Sequence, residues 1–370
     1  MPFASYGKQY INDLKPYVAQ APVERLQAEL GLETIHKLAS NEGAFGPVPA
    51  ARELLLGDPD GVRRYPDSAM PELRAAIAAR FALQPDQVVL GNGADELIRL
   101  AAMAVLESGD NGVFPWPSFP TYVAAVATTG AEPRTVPLTG DWAVDFNALF
   151  SAIFPTTRIV YIANPNNPTG LLAPRAALRN FIEQLPGNVL CVLDEAYAEY
   201  AEGDEEPEGP QLVREGAENL VVLRTFSKIY GLAGLRIGYA LGPADAIGAI
   251  DKLRSIFNVN VLAQAAALAS LPDEAEIARR VAHVKGARTQ IFKWLALAGH
   301  KPLASRANFV FAEAADGDGA AVEQRLLKLG VAVRELGGFG APGAFRVTCG
   351  SDEENQYFAA AIDRLANGIA

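Results

Sequence analysis

The chain has 370 residues, half of them hydrophobic, and its 43 acidic against 32 basic side chains give a formal net charge of -11. That length suggests about two domains, with ample material for a core. The acidic balance argues against a polyphosphate partner such as DNA, so the basic residues are expected to serve small anions.

Two cysteines, Cys191 and Cys349, and three histidines, His36, His283 and His300, leave almost no material for a disulfide framework or a metal cage. No metal is expected, and the cysteine usage fits a reducing cytosol. The N-terminal residues lack the basic start and apolar block of a signal peptide, and no apolar stretch reaches membrane-spanning length. A soluble cytoplasmic protein is the expectation.

Along the chain, helix-like periodicity at 70–81 precedes a strand-like run at 87–90, and Gly91-Asn-Gly-Ala-Asp-Glu96 then opens a helix over 97–106. Further strand-like runs fall at 112–114, 158–162, 189–193, 220–223 and 237–240, with a helical pattern at 174–184. Continuous apolar strands separated by helices predict an α/β fold with a mostly parallel sheet covered on both faces. Ligands then bind at the carboxyl ends of those strands. The acidic stretch 202–209 reads as a solvated loop. Beyond it, helical patterns at 244–258, 261–271 and 274–298 precede strand-like 308–311, 331–333 and 345–348, a smaller α+β region. Cys191, inside the 189–193 run, reads as a core residue.

Lys228 is the chemical centre of this pattern. It ends Arg224-Thr-Phe-Ser-Lys228 directly after an apolar run, and Arg236 stands eight positions on. A lysine chosen at random is a solvated surface residue. One delivered by a buried strand suits Schiff-base chemistry, because burial lets the amine shed its proton near neutral pH. Three more strand-end loops carry polar clusters: Asp194-Glu-Ala-Tyr197, Asn164-Pro-Asn-Asn-Pro-Thr-Gly170 and Gly91 to Glu96. A dinucleotide fingerprint fails there, since Glu96 holds the third glycine's place.

With these motifs in this order, the chain resembles the fold-type I pyridoxal-phosphate enzymes of aminotransferase class I/II, and is most similar to the histidinol-phosphate aminotransferases. The resemblance runs from Tyr17 to Gly350. It implies a large cofactor-binding domain at 39–245 with a mostly parallel seven-stranded sheet, a small domain at 246–370, and an N-terminal arm at 1–38 packing with the small domain. It also implies pyridoxal 5'-phosphate as cofactor. Lys228 becomes the Schiff-base lysine and proton carrier, Asp194 the partner of the pyridine nitrogen, and Asn167 and Tyr197 the partners of the phenolic oxygen. Phe119 stacks on the ring. The phosphate falls to the backbone at Gly93, Ala94 and Asp95 and to Thr225, Ser227 and Arg236, which matches the anion preference of a helix N-terminus. Tyr65 reaches the phosphate from a second subunit, so a homodimer is implied.

For substrate, the resemblance assigns Arg346 to a carboxylate-type anion and Arg334 to a phosphate, with Tyr17, Glu42 and Asn258 nearby. The implied reaction is a ping-pong transfer from histidinol phosphate to 2-oxoglutarate. One departure stands out: the arm reads Ser40-Asn-Glu-Gly-Ala-Phe-Gly-Pro47 where the family has an Asn-Glu-Asn-Pro type of stretch. A pocket altered around Gly43 to Phe45 could admit phenylalanine or tyrosine. A phospho-amino-acid decarboxylase is a further alternative on the same scaffold, and a DNA-binding regulator is disfavoured by charge.

Overall fold

The computed structural model describes residues 8–12, 14, 21–57, 61–201 and 206–368. The strands in chain order are β1 (His36–Lys37), β2 (Val88–Gly91), β3 (Asn111–Trp116), β4 (Glu132–Pro137), β5 (Thr157–Ala163), β6 (Leu190–Asp194), β7 (Leu220–Thr225) and β8 (Gly238–Leu241), then β9 (Lys301–Pro302), β10 (Phe309–Glu313), β11 (Val331–Ala332), β12 (Arg334–Glu335) and β13 (Ala344–Thr348).

Seven of them form one sheet in the order β2-β8-β7-β6-β5-β3-β4. Only β8 runs against its neighbours; every other pairing between adjacent strands is parallel. The continuous apolar runs follow from burial on both faces. In β5, Ile159 and Tyr161 join one buried layer with Leu97 and Tyr122, while Val160 and Ile162 join the opposite layer with Phe181 and Leu212. Cys191 belongs to the second layer, and burial pushes its thiol up to about 12.

A second sheet, antiparallel, has the order β12-β13-β10-β9, and β1 pairs in parallel with β11. A segment before residue 40 therefore adds to strands from beyond residue 300. Helices Glu274–Leu297 and Asp352–Ala366 pack against each other beside this region. Among the described residues, no helix is long and apolar enough to cross a membrane.

Three elements differ from expectation. Strand β4 has no apolar signature, because it is an edge strand whose sequence Glu-Pro-Arg-Thr-Val-Pro is largely solvent-facing, and edges tolerate proline. The helix expected over 244–258 ends at Asp251. There the Asp251 carboxylate accepts from Arg74 at 2.8 Å and from Arg254 at 2.5 Å, Arg254 also donates to the Ser68 carbonyl, and Phe257 takes a left-handed φ of 59°. Tertiary hydrogen bonds override the periodicity. The helix expected at 97 starts at Gly93, so its first turn includes the motif itself. Of the acidic stretch, residues 202–205 lie outside the described residues.

Leu193 is fully buried in the central strand β6. Replacing it with alanine is expected to lower the unfolding free energy by about 2–5 kcal/mol, read as a fall in the urea midpoint.

Candidate active site

The carboxyl ends of β2, β5, β6 and β7 lie along one edge of the large sheet, where an α/β fold places its ligand. A cavity of about 380 Å³ opens there. It is lined by Ala94, Asp95, Phe119, Asn167, Asp194, Tyr197, Thr225, Ser227, Lys228 and Arg236 from the large sheet's loops, and by Lys37, Asn41, Glu42, Arg334 and Arg346 from the other side.

Lys228 is half-buried, and its Nζ donates to the Asn41 carbonyl at 2.9 Å. Burial, reinforced by the charges of Arg346 and Arg236 against those of Glu42 and Asp194, lowers its pKa to about 8. The amine is thus poised to act as a base, as its assigned role requires. Its Nζ stands 5.5 Å from the centre of the Tyr197 ring.

Asp194 is buried at the end of β6. Its Oδ2 accepts from the Tyr122 hydroxyl at 2.7 Å and its Oδ1 from the Ala196 N–H at 3.1 Å. Burial pushes the carboxyl's pKa up, while those two donors and the Lys228 charge pull it down. The next residue, Glu195, turns the opposite way and grips the buried Arg224 at 2.6 Å, and the Gly209 N–H donates to its other oxygen at 2.9 Å. Alternation along an extended segment accounts for this split.

Tyr197 is buried, and its oxygen accepts from the Asn41 side-chain amide at 3.0 Å. That leaves the phenolic hydrogen free to donate, and burial raises the phenol's pKa so that it keeps this hydrogen. Asn167 accepts from Arg346 through Oδ1, which leaves its own amide hydrogens for a ligand.

The anion cradle lies at the start of the helix Gly93–Val105. Gly93 has φ 75°, and a Cβ there would collide with the Arg236 guanidinium. Glycine is required because that arginine lies against the backbone. Arg236 itself adopts φ 57°, in the left-handed region that a non-glycine residue seldom occupies. Thr225 and Ser227 hydroxyls lie 2.9 Å apart beside it. The Asp95 carboxylate turns aside to Thr121 at 2.6 Å and Arg99 at 3.2 Å, so this acidic residue can offer its backbone to an anion.

Arg334 and Arg346 are register partners across β12 and β13. Arg346 is buried, donates to the Ala39 carbonyl at 3.1 Å and lies over the rings of Phe309 and Phe339.

Several expected residues fall elsewhere. Asn258 lies outside the cavity: its amide donates to Glu96 at 2.7 Å and its Oδ1 accepts from Arg254 at 2.7 Å, beside the first turn of the helix Gly93–Val105. Tyr65 is also away from its own chain's cavity, 83% exposed and stacked on Phe257 at 4.6 Å. Tyr17 lies outside the described residues. Glu42 does line the cavity, but it is paired with Lys37 at 3.0 Å.

The unusual arm leaves the pocket wall intact. Gly43 packs against the Lys228 carbonyl oxygen, which a Cβ would approach to 2.5 Å. Phe45 turns to the helix Glu274–Leu297, against His283, Arg279 and Arg280. The expected remodelling of the pocket by 43–45 is corrected: neither residue lines the cavity. Asn41, Tyr122 and Lys37 are site residues that the sequence reading did not single out. An asparagine before Glu-Gly, the residue type that best tolerates a left-handed backbone, was the available signal for Asn41, which has φ 53°.

The buried carboxylate, the poised lysine and a glycine-lined cradle under Arg236 fit a group with a basic ring nitrogen, a carbonyl carbon and a phosphate. Fold and site together are those of a pyridoxal-phosphate-dependent transferase. The chain belongs to the aminotransferase class I and II family, whose model matches residues 33–362. It is 39% identical to a histidinol-phosphate aminotransferase of Moorella thermoacetica, over 97% of this chain and 92% of that protein. It is 41% identical to histidinol-phosphate aminotransferase 1 of Dechloromonas aromatica, over 98% and 99%. Among solved structures, the histidinol-phosphate aminotransferase of Sinorhizobium meliloti in complex with pyridoxal-5'-phosphate superposes with a TM-score of 0.90, at 30% identity and 99% coverage of both chains. Pyridoxal 5'-phosphate is the cofactor.

Removing the Tyr122 hydroxyl should let the Asp194 carboxyl pKa climb further and, if Asp194 has the role the resemblance implies, weaken its hold on a protonated ring nitrogen. Tyr122→Phe is therefore expected to bind pyridoxal phosphate about tenfold more weakly, a typical loss for a hydrogen bond to a charged group, measured by equilibrium dialysis.

Proposed function

We propose that this protein transfers the amino group of L-histidinol phosphate to 2-oxoglutarate, forming imidazole acetol phosphate and glutamate, a step of histidine biosynthesis. The observation that carries this reading is the register pairing of Arg334 with Arg346 on the wall facing Lys228, two cations for one dianionic group. Arginine can hold a phosphate with paired hydrogen bonds. The near-complete similarity to histidinol-phosphate aminotransferases supports the same donor.

Bound pyridoxal phosphate supplies an electron sink for negative charge at the substrate's Cα. The chain's own residues do the rest. Gly93, Ala94, Asp95, Thr225, Ser227 and Arg236 hold the cofactor's phosphate, and Phe119 supports one face of its ring. Asp194, braced by Tyr122, keeps a proton on the ring nitrogen. Tyr197 and Asn167 donate to the phenolic oxygen. Lys228 would move the proton released at the donor's Cα, taking it up as a neutral amine and giving it back as an ammonium. Arg346 and Arg334 fix the donor's phosphate, and Arg346 then takes the acceptor's carboxylate, so both half-reactions share one cavity.

We read residues 39–245 as the large domain, 246–370 as the small one and 1–38 as an arm whose β1 packs with the small domain, since the large sheet ends at Leu241 and β1 pairs with β11, while the arm's Tyr10 lies against Gly130 of the large domain. A homodimer follows from Tyr65, which would reach the partner's phosphate site. Val62, Tyr65, Ile256 and Phe257 are all exposed, an apolar surface that a second subunit would cover. Buried free cysteines suit a cytoplasmic enzyme.

Enzyme mixed with histidinol phosphate and 2-oxoglutarate is expected to yield glutamate. Carbon dioxide release from a phosphorylated amino acid without glutamate would overturn the reading in favour of a decarboxylase. Arg334→Ala is expected to lower kcat/KM for histidinol phosphate by about 10- to 100-fold while affecting tyrosine or phenylalanine far less. Equal losses for all donors would contradict the assignment.

The lowered pKa of Lys228 makes a pH prediction. The neutral amine accumulates as pH rises through about 8, so attachment of pyridoxal phosphate to the emptied protein, trapped with borohydride, should accelerate over that range and then level off. Arg346 lowers that pKa, so Arg346→Met should move the rise to higher pH.

A further inference from the structure

Lys37 lines the cavity, yet neither the cofactor roles nor the two arginines account for it. Its strand, β1, is set in parallel register with β11, Lys37 opposite Ala332, and the Leu38 N–H donates to the Ala332 carbonyl at 2.8 Å. Register partners share a face, and Arg334 lies two residues beyond Ala332, so the period of two along an extended chain brings Lys37 and Arg334 to the same wall. Arg334 in turn is the register partner of Arg346. Three cations thus stand on three neighbouring strand segments. Of the residues lining this wall of the cavity, Glu42 is the carboxylate set against them, held by Lys37 at 3.0 Å, with the two side chains 34% and 47% exposed; Glu323, outside the lining, also acts electrostatically on Arg334.

Charge gives this arrangement a meaning. With Lys228, Arg236, Asp95 and Asp194 on the cofactor side, the substrate side carries three cations and one carboxylate, a net charge of two positive. A phosphate dianion matches that balance, as do the two carboxylates of 2-oxoglutarate, and the compact placing of Lys37, Arg334 and Arg346 on one wall favours three contacts to a single phosphate. We propose that Lys37 is a specificity-determining residue that exchanges the Glu42 carboxylate for the donor's phosphate, completing a three-cation site with Arg334 and Arg346. The inference rests on the donor proposed above. Glu42 acts here as an internal stand-in for the phosphate, keeping the ammonium paired until the ligand enters.

The test uses the cofactor-loaded enzyme and measures the two half-reactions separately by single-turnover absorbance. Lys37→Met is expected to raise the histidinol phosphate concentration for half-maximal rate by at least about tenfold, and to move that for 2-oxoglutarate by less than about threefold, as loss of one charge-assisted contact predicts. Lys37→Arg should recover most of the loss, which a purely structural role for the methylene stem would not explain. Inorganic phosphate, used as a competitive probe, should bind more weakly to Lys37→Met and more tightly to Glu42→Gln, a readout that requires no turnover. A selective loss for 2-oxoglutarate would assign Lys37 to the acceptor's distal carboxylate and overturn the proposal. Equal losses in both half-reactions, or no change in phosphate binding, would overturn it as well. Failure of the donor assignment looks different: the unmodified enzyme would then show no half-reaction with histidinol phosphate at all.

Discussion

Asn41 is the joint on which the site depends. Its backbone N–H donates to the Thr348 hydroxyl at 3.0 Å, its side-chain amide donates to Tyr197 at 3.0 Å, and its carbonyl accepts from Lys228 at 2.9 Å and from Asn308 at 3.2 Å. One buried residue thus touches Lys228, the phenol beside it, strand β13 and the residue that leads into β10. Its left-handed backbone sends amide and carbonyl in these different directions. Gly43 and Gly231 reinforce the joint, since each lacks the Cβ that would keep residues 43–46 and the Lys228 loop apart.

Electrostatics at the site follow from where each charge is anchored. Arg224 and Glu195 form a buried pair one layer behind the cavity, with Glu199 at 3.3 Å adding a second carboxylate. Such a pair contributes little net stability, but loss of either partner would strand a charge, typically at a cost of about 3–5 kcal/mol. Its effect on function is geometric: it pins the turn after β6, and so the direction in which Asp194 points. Tyr122, stacked on Tyr161 at 4.9 Å, braces the same carboxylate from the other side.

The large sheet was legible because its strands are buried on both faces and read as unbroken apolar runs; the 189–193 run lies within one residue of β6. The cofactor loops were legible because each follows such a run directly. What escaped were elements made by distant partners. β4 is an edge strand rich in proline, and β1, β9 and β12 are two residues each, too short for any pattern. Asn258 could not be placed, since its position depends on Arg254 and Glu96 ending a helix that periodicity alone would continue. The 43–45 departure was visible, but its direction was not: only the packing of Phe45 on Arg279 and His283 turns it away from the cavity.

The seven-stranded sheet and the short strands outside it divide the labour in this reading. The side chains proposed for the chemistry come from loops of the seven-stranded sheet, whereas those proposed to read the anion, Lys37, Arg334 and Arg346, sit on β1, β12 and β13. Substitutions on those short strands can therefore retune which amino donor is accepted while Asp194, Lys228 and Arg236 stay fixed. A scaffold partitioned in this way can diverge in selectivity by changes at a few positions, and the reaction it performs need not be reinvented each time.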